Sequence, residues 1–123
     1  MTLHVELVSP ESEYWSGEAT MVVARTTEGD LGVLTGHQPL LAVLAPGVVT
    51  VKPVNGEDLR VFVLGGFASV ADDRVSVLAE SVERVSEIDA SAAQVALREA
   101  QSSGDEQALA EARARLAAAE TAR

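Results

Sequence analysis

The chain has 123 residues, of which 47% are hydrophobic, so it can bury one core and is not disordered throughout. Its 19 acidic and 9 basic residues give a net charge of −10, which disfavours binding to nucleic acid or to anionic lipid headgroups. The sequence contains no cysteine, which excludes disulfides and thiolate metal sites.

No targeting or membrane-spanning segment is predicted. The amino terminus, MTLHVELVSPE, lacks a basic stretch followed by an apolar one, so it does not resemble a signal peptide. No run approaches the roughly 18 apolar residues that suggest a membrane span. We therefore expect a cytoplasmic protein without direct membrane insertion.

Residues 1–84 are predicted to form short strands. The alternation of apolar and polar residues in LHVELV, beginning at Leu3, is typical of a half-buried strand. Further strands are predicted, in chain order, at Ala19–Arg25, Leu40–Leu44, Val48–Lys52, Leu59–Leu64, Phe67–Val70 and Arg74–Leu78. Many short strands separated by turn residues indicate an antiparallel sandwich or barrel, and they argue against an α/β nucleotide-binding fold.

Two pairs of residues are interpreted as turns between these strands. Asn55-Gly56 predicts a hairpin with a tight two-residue turn, because both residues accept a positive φ. Asp72 and Asp73 are consecutive acids between two predicted strands. We interpret them as solvated turn formers rather than as paired catalytic carboxylates.

From Asp89 onward the sequence has no proline and is dominated by residues that favour helices. Asp89 is the expected N-cap of a first helix over about 90–101. SSGD ends that helix, and Ser103 with Glu106 predicts a capping box that opens a second helix to about Ala119.

The predicted organisation is a β-sandwich domain at 1–84, a linker at 85–88 and a C-terminal helical hairpin at 89–123. The apolar face of the hairpin is mostly alanine, which buries far less than a leucine worth roughly 1.5–3 kcal/mol. Isolated helices of about 12–15 residues are marginal in water. The hairpin is therefore expected to be loosely docked or held by a partner, and permanent packing on the β-domain is the alternative.

The residues themselves reveal no convincing active site. His4 and His37 are the only histidines, and no metal-ligand pattern accompanies either of them. The sequence contains neither a G-x-S-x-G elbow nor a GxxxxGK[ST] loop. We therefore expect no catalytic residue, no metal site and no cofactor, and an adaptor or subunit rather than an enzyme.

EGDLGVLTGHQPLLAVLAPGVV, which runs from Glu28 to Val49, closely resembles the signature of the epsilon subunit of the bacterial F-type (proton-translocating) ATP synthase. The resemblance continues in YWSGEA at Tyr14–Ala19 and in LGGFASVADDRVSVLAES at Leu64–Ser81, and it covers essentially the whole chain. It implies a β-sandwich of about ten strands followed by a C-terminal two-helix antiparallel hairpin.

The resemblance also implies a non-catalytic rotor subunit of the central stalk, which couples rotation of the gamma subunit to the membrane c ring during proton-driven ATP synthesis. The implied partners are the gamma subunit, the polar loops of the c ring and, through the C-terminal helices, the alpha and beta subunits. The implied location is peripheral, at the cytoplasmic face of the bacterial cell membrane. The candidate residues for the c-ring and gamma interface are Asp30, Leu31, Gly32, His37 and Pro39.

The C-terminal helices are implied to regulate or inhibit ATP hydrolysis. The candidate residues of this regulatory arm are Leu97, Leu109, Arg113, Arg115 and Leu116.

Some members of the family bind ATP through an I/L-D-x-x-R-A motif at the start of the first helix. Ile88 and Asp89 match this motif, but Ala92 stands at the arginine position, which removes a phosphate partner that Arg98 replaces poorly. ATP is therefore a weakly supported regulatory ligand. The alternative function is a stand-alone nucleotide- or small-ligand-binding module on the same fold.

Overall fold

The computed structural model of the protein describes residues 2–121, which form nine strands and two α-helices. The strands are β1 (Leu3–Val8), β2 (Glu13–Thr26), β3 (Gly29–Val33), β4 (Leu40–Leu44), β5 (Gly47–Pro53), β6 (Leu59–Val63), β7 (Gly66–Ala71), β8 (Arg74–Ala79) and β9 (Val82–Arg84). A 3-10 turn over Val85–Glu87 follows β9, and the helices are α1 (Ala90–Ser103) and α2 (Glu106–Thr121).

The strands form one hydrogen-bonded sheet that folds over into a sandwich. Their order is β1-β8-β7-β4-β2-β5-β6-β9, with β3 beside β2. β1 also pairs with the first half of β2, which joins one end of this order back to its middle. The β1–β8 pairing is parallel and the other described pairings are antiparallel.

The core of the sandwich consists of valine, leucine and alanine side chains. In β1, Leu3, Val5 and Leu7 each have 0% exposure while the residues between them are half-buried, which confirms the predicted alternation. Tyr14 and Trp15 are partly buried at the margin of this core. The valine content fits the strands, because β-branched side chains pack well on a pleated surface.

A second, smaller core lies between the sandwich and the helices. Phe62 in β6 is 2% exposed although its neighbours Val61 and Val63 face the main core. The buried residues around it are Val85, Ile88, Ala93, Ala118 and Ala119. The helical hairpin is therefore docked on the face of β6 that points away from the main core.

The junction between the two helices differs from its prediction. α1 continues to Ser103, and Gly104 ends it with a left-handed φ of 74°. The Asp105 carboxylate accepts hydrogen bonds from the backbone N–H groups of Gln107 (3.0 Å) and Ala108 (3.1 Å), so Asp105 is the N-cap of α2.

The predicted capping box of Ser103 with Glu106 is wrong. Ser103 is the last residue of α1, and its hydroxyl donates to the carbonyl of Ala100 at 2.8 Å. The glycine after it terminates one helix before Asp105 can begin the next.

The turn predictions are confirmed in one case and corrected in the other. Asn55 and Gly56 do lie between the antiparallel strands β5 and β6, but the connection spans residues 54–58 and only Gly56 of the pair has a positive φ, 99°. The predicted turn at Asp72 and Asp73 is confirmed, and it is a tight two-residue turn with φ values of 51° and 59°. β3, β9 and the first half of β2 were not predicted from the sequence: β9 pairs with the distant β6, whereas β3 and the first half of β2 form hairpins with the strands that precede them.

Candidate interaction surface

The tip of the β2–β3 hairpin and strand β4 enclose a shallow cleft of about 360 Å³. Its lining includes Asp30 and Leu31 on one side and residues 40–43 on the other. The Thr26 hydroxyl donates to the carbonyl of Gly29 at 2.6 Å and accepts from the N–H of Glu28 at 3.1 Å, which closes the turn of the hairpin. Asp30 is exposed, whereas Leu31 packs partly against the core. The β2–β3 hairpin therefore holds the exposed Asp30 next to a turn that is closed by hydrogen bonds.

The other predicted interface residues lie outside the lining of this cleft. Gly32 is exposed on β3 opposite Val23. His37 and Pro39 lie in the loop of residues 34–39 between β3 and β4, where His37 is half-buried and Pro39 is exposed. The structure thus brings Asp30 and Leu31 into one cleft and distributes the remaining three residues along β3 and the following loop.

The loop of residues 34–39 has a defined internal geometry. The N–H of His37 donates to the carbonyl of Leu34 at 3.2 Å, and Gly36 between them has a φ of 83°. His37 Nδ1 lies 2.7 Å from the carbonyl oxygen of Gln38. Because a carbonyl only accepts, Nδ1 carries the proton, and Nε2 of the neutral ring is an acceptor.

A row of exposed apolar side chains crosses neighbouring strands on the outer face of the sandwich. Val43 of β4 is opposite Phe67 of β7, which is opposite Leu78 of β8. Their exposed fractions are 48%, 49% and 51%. Leu41, two residues before Val43 on the same face of β4, is 70% exposed. We call Leu41, Val43, Phe67 and Leu78 the apolar row.

The apolar row is the main feature that sequence analysis did not identify. Directly opposed residues in a sheet have Cβ atoms about 5 Å apart, so these side chains form a continuous surface. The signal in the sequence is a departure from alternation, because Val43 and Phe67 are apolar at positions that face away from the core. An exposed apolar surface of this kind is typical of a protein–protein contact.

The helical hairpin is fastened to the sandwich by a bidentate ion pair. Arg115 of α2 donates from Nε to Glu83 Oε1 and from a terminal guanidinium nitrogen to Glu83 Oε2, both at 2.9 Å. Hydrogen bonding to Glu83 raises the pKa of Arg115. Leu116 next to it packs against the second core, while Leu97 and Leu109 are half-buried and Arg113 is exposed.

We expect Arg115→Ala to weaken docking of the hairpin by about 1 kcal/mol, or roughly fivefold, because the pair is partly exposed but bidentate. Amide hydrogen exchange of Ala118 and Ala119, which are buried on the side of α2 that faces the sandwich, measures the opening. Arg113→Ala is the matched control, since Arg113 is exposed on the same helix. Equal exchange in the two variants would contradict a latching role for Arg115.

The residues that match the ATP-binding motif have structural contacts of their own. Ile88 is buried in the second core, at 8% exposure. Asp89 Oδ1 accepts from the backbone N–H groups of Ser91 (2.9 Å) and Ala92 (3.3 Å), which confirms Asp89 as the N-cap of α1. Arg98 is exposed farther along α1. Packing and helix capping account for the two matching residues.

Thr2, His4 and Glu18 form a hydrogen-bonded group at the β1–β2 pair. The Thr2 hydroxyl donates to Glu18 Oε1 at 2.6 Å, and His4 Nδ1 lies 2.9 Å from Glu18 Oε2. Both hydrogen bonds lower the pKa of Glu18, and the bond from Thr2 has the larger effect.

A carboxyl whose pKa is lower in the folded state stabilises the fold above its unfolded pKa. The pKa of an unfolded glutamate is about 4.3. We therefore expect the contribution of Glu18 to stability to be lost as the pH falls below that value and through the lower pKa of the folded state. Urea unfolding of the wild type and of Glu18→Gln across this range measures it. The difference in stability between them should shrink as the pH falls, and a constant difference would contradict the coupling.

Within residues 2–121, no group of three or more histidine and acidic side chains is arranged to hold a metal ion. Neither described helix is long and apolar enough to cross a membrane. A β-sandwich with an exposed apolar row and a docked helical hairpin is typical of a subunit that binds other proteins.

Comparison with known proteins agrees with this class. The family described as "ATP synthase, Delta/Epsilon chain, beta-sandwich domain" matches residues 2–85. The chain is 54% identical over 103 residues to the ATP synthase epsilon chain of Streptomyces avermitilis, covering 84% of this chain and 83% of that one. It is 53% identical over 116 residues to the epsilon chain of Streptomyces griseus, covering 94% of both chains.

A solved structure is similar over nearly the whole chain. It is a chain of the Euglena gracilis mitochondrial ATP synthase, described as "OSCP/F1/c-ring in rotational state 1", with a TM-score of 0.82 and 27% identity. The similarity covers 98% of this chain and 81% of that chain. The protein belongs to the epsilon-chain family of ATP synthase, whose members are subunits of a multi-subunit enzyme.

Proposed function

We propose that the protein is a non-catalytic rotor subunit of the central stalk of an F-type ATP synthase, where it couples rotation of the gamma subunit to the c ring during proton-driven ATP synthesis. The observation that carries the proposal is the apolar row, whose three central members are about half exposed on adjacent strands. A coupling subunit must bind its partner tightly. Apolar side chains on a rigid sheet supply contact area at little cost in conformational entropy.

The gamma subunit is the proposed occupant of the apolar row. The similar Euglena chain belongs to an assembly whose description includes F1 and a c ring. The sheet around Phe67 is fixed by pairing on both sides, to β4 and to β8. Force applied to this side chain would therefore be shared by several strands.

The polar loops of the c ring are the proposed partner of the hairpin tip and the loop of residues 34–39. Asp30 is exposed at the tip, and His37 offers a hydrogen-bond acceptor at Nε2. Leu31, Gly32 and Pro39 shape the same stretch of chain. The proposed location is accordingly peripheral, at the cytoplasmic face of the bacterial cell membrane and without insertion into it.

Assembly tests this function most directly. We expect the protein to co-purify with gamma and the c ring when the three are expressed together, and to hydrolyse no ATP by itself. Failure to assemble would contradict the rotor role. ATPase activity of the isolated chain would contradict the non-catalytic assignment.

The helical hairpin is proposed to regulate ATP hydrolysis by leaving the sandwich and contacting the alpha and beta subunits. The helices contribute mainly alanine to the second core and the described ion pair between Arg115 and Glu83 joins them to the sandwich, so we expect undocking to need little free energy. Leu97 and Leu109, which are half-buried in the docked hairpin, would become available to those partners when the hairpin extends, beside the already exposed Arg113.

Cross-linking can test this regulation in the full chain, because the sequence has no cysteine. In the Glu83→Cys/Arg115→Cys variant, a short bismaleimide would join the two positions and keep the hairpin docked. We expect the cross-link to raise ATP hydrolysis by the reconstituted complex by roughly fivefold or more. Unchanged hydrolysis after complete cross-linking would contradict an inhibitory role.

The hairpin is proposed to act without a nucleotide. Asp89 is occupied as a helix cap, and Ala92 cannot supply the cation that a phosphate needs. Titration of the isolated protein with ATP, followed by NMR of residues 88–98, should leave the spectrum unchanged. Saturable shifts there would instead support the stand-alone nucleotide-binding function.

A further inference from the structure

We propose that Asp73 is a positioning residue for the loop of residues 34–39. Its carboxylate fixes the backbone of Gly36 and thereby the direction in which His37 is presented to a partner. The inference rests on the proposed function for the identity of that partner, the polar loops of the c ring.

The anchor is a tight turn in an unusual backbone conformation. Asp72 and Asp73 connect β7 to β8, and Ala71 pairs directly with Arg74 across the turn. Both aspartates have a positive φ, which glycine and asparagine adopt with less strain than most residues. Neither position therefore requires an acid for the turn itself.

Two hydrogen bonds extend from Asp73 to other parts of the fold. Its carbonyl accepts from the backbone N–H of His4 at 2.8 Å, which ties the turn to the start of β1. Its Oδ1 accepts from the backbone N–H of Gly36 at 2.7 Å, across 37 positions of sequence. A carboxylate acceptor strengthens such a bond relative to a neutral one.

Gly36 depends on this anchor because the space beside its Cα is open. Gly36 has a φ of 83°, and a Cβ added there would meet nothing within 4 Å. Leu34 is 56% exposed and so contributes little packing to the core. The internal hydrogen bond from His37 to Leu34, at 3.2 Å, shapes the turn but does not orient it on the sandwich. The Asp73 carboxylate supplies that orientation.

Three substitutions separate positioning from folding. Asp73→Gly keeps a residue suited to the positive φ and removes the acceptor. Asp73→Asn also suits the turn and retains a side-chain oxygen that can accept from Gly36. Asp72→Gly is the matched control in the same turn.

The first readout is amide hydrogen exchange of Gly36 in the isolated full-length chain. We expect Asp73→Gly to speed this exchange by about tenfold or more, and Asp73→Asn and Asp72→Gly to leave it within about threefold of the wild type. Equal exchange in Asp73→Gly and Asp72→Gly would overturn the proposal. So would failure of Asp73→Asn to retain protection.

The second readout is affinity for the gamma–c-ring subcomplex. We expect Asp73→Gly to weaken binding by about tenfold, with unfolding midpoints like those of Asp72→Gly. Unchanged affinity despite rapid Gly36 exchange would overturn the link between loop direction and binding. If the wild type itself does not bind, the proposed function fails, whereas the exchange experiment still decides the role of Asp73.

Discussion

Phe67→Asp is expected to weaken binding to the gamma subunit by roughly 30–1000-fold, which corresponds to about 2–4 kcal/mol. Phe67 is the centre of the apolar row, with Val43 on one side and Leu78 on the other. A charge there would be desolvated in the complex without a partner, whereas the free protein would keep it in water. Titration of labelled protein with gamma measures the loss.

The control for this substitution is Val95→Asp on the outer surface of α1. Val95 and Phe67 are both 49% exposed, so the two variants introduce the same charge at equally accessible positions. Both should retain the wild-type circular dichroism spectrum. Comparable loss of binding in the two variants would contradict the apolar row as the gamma-binding surface.

Gly66→Ala is expected to destabilise the fold by roughly 3–5 kcal/mol. Gly66 begins β7 with a φ of 128°, and a Cβ there would lie 1.9 Å from the carbonyl oxygen of Leu78. That oxygen belongs to the backbone of β8, so relieving the overlap requires the two strands to separate. Urea unfolding monitored by circular dichroism measures the effect.

Gly29→Ala separates the backbone strain from the overlap. Gly29 has a φ of 122°, close to that of Gly66, but a Cβ there would meet nothing within 4 Å. Strain alone should therefore cost roughly 1–3 kcal/mol. If the two variants were equally stable, the close approach of β7 to β8 would not be the main reason for glycine at position 66.

Short sequence patterns correctly predicted those elements whose structure depends on residues close together in the chain, such as β1 and the start of α1. β1 alternates because one face is buried, and Asp89 caps a helix through atoms two and three residues away. β9 lacks such a pattern, because its existence depends on pairing with the distant β6. Turn propensity located both Asn55-Gly56 and Asp72-Asp73 between strands, but it did not determine loop length, because the strand register leaves five residues between β5 and β6 and only two between β7 and β8.

The contacts of the candidate surfaces depend on long-range placement. Arg115 is 32 positions from Glu83, and the chain contains 19 acidic residues that could have paired with it. The sequence shows that Phe62 belongs to an apolar run. It does not show that the helical hairpin is the element that covers this side chain. The exposure of the apolar row likewise follows from which side of the sheet the hairpin occupies.

The closure of the sheet has a consequence for self-association. Because β1 pairs with both β8 and β2, the described strands that have a single neighbour are the short β3 and β9. β3 carries two glycines and an exposed acid, which make a poor template for an added strand. We therefore expect the β3 edge to resist edge-to-edge association at high local concentration, and a partner at this edge to be recognised through side chains rather than through backbone strand addition.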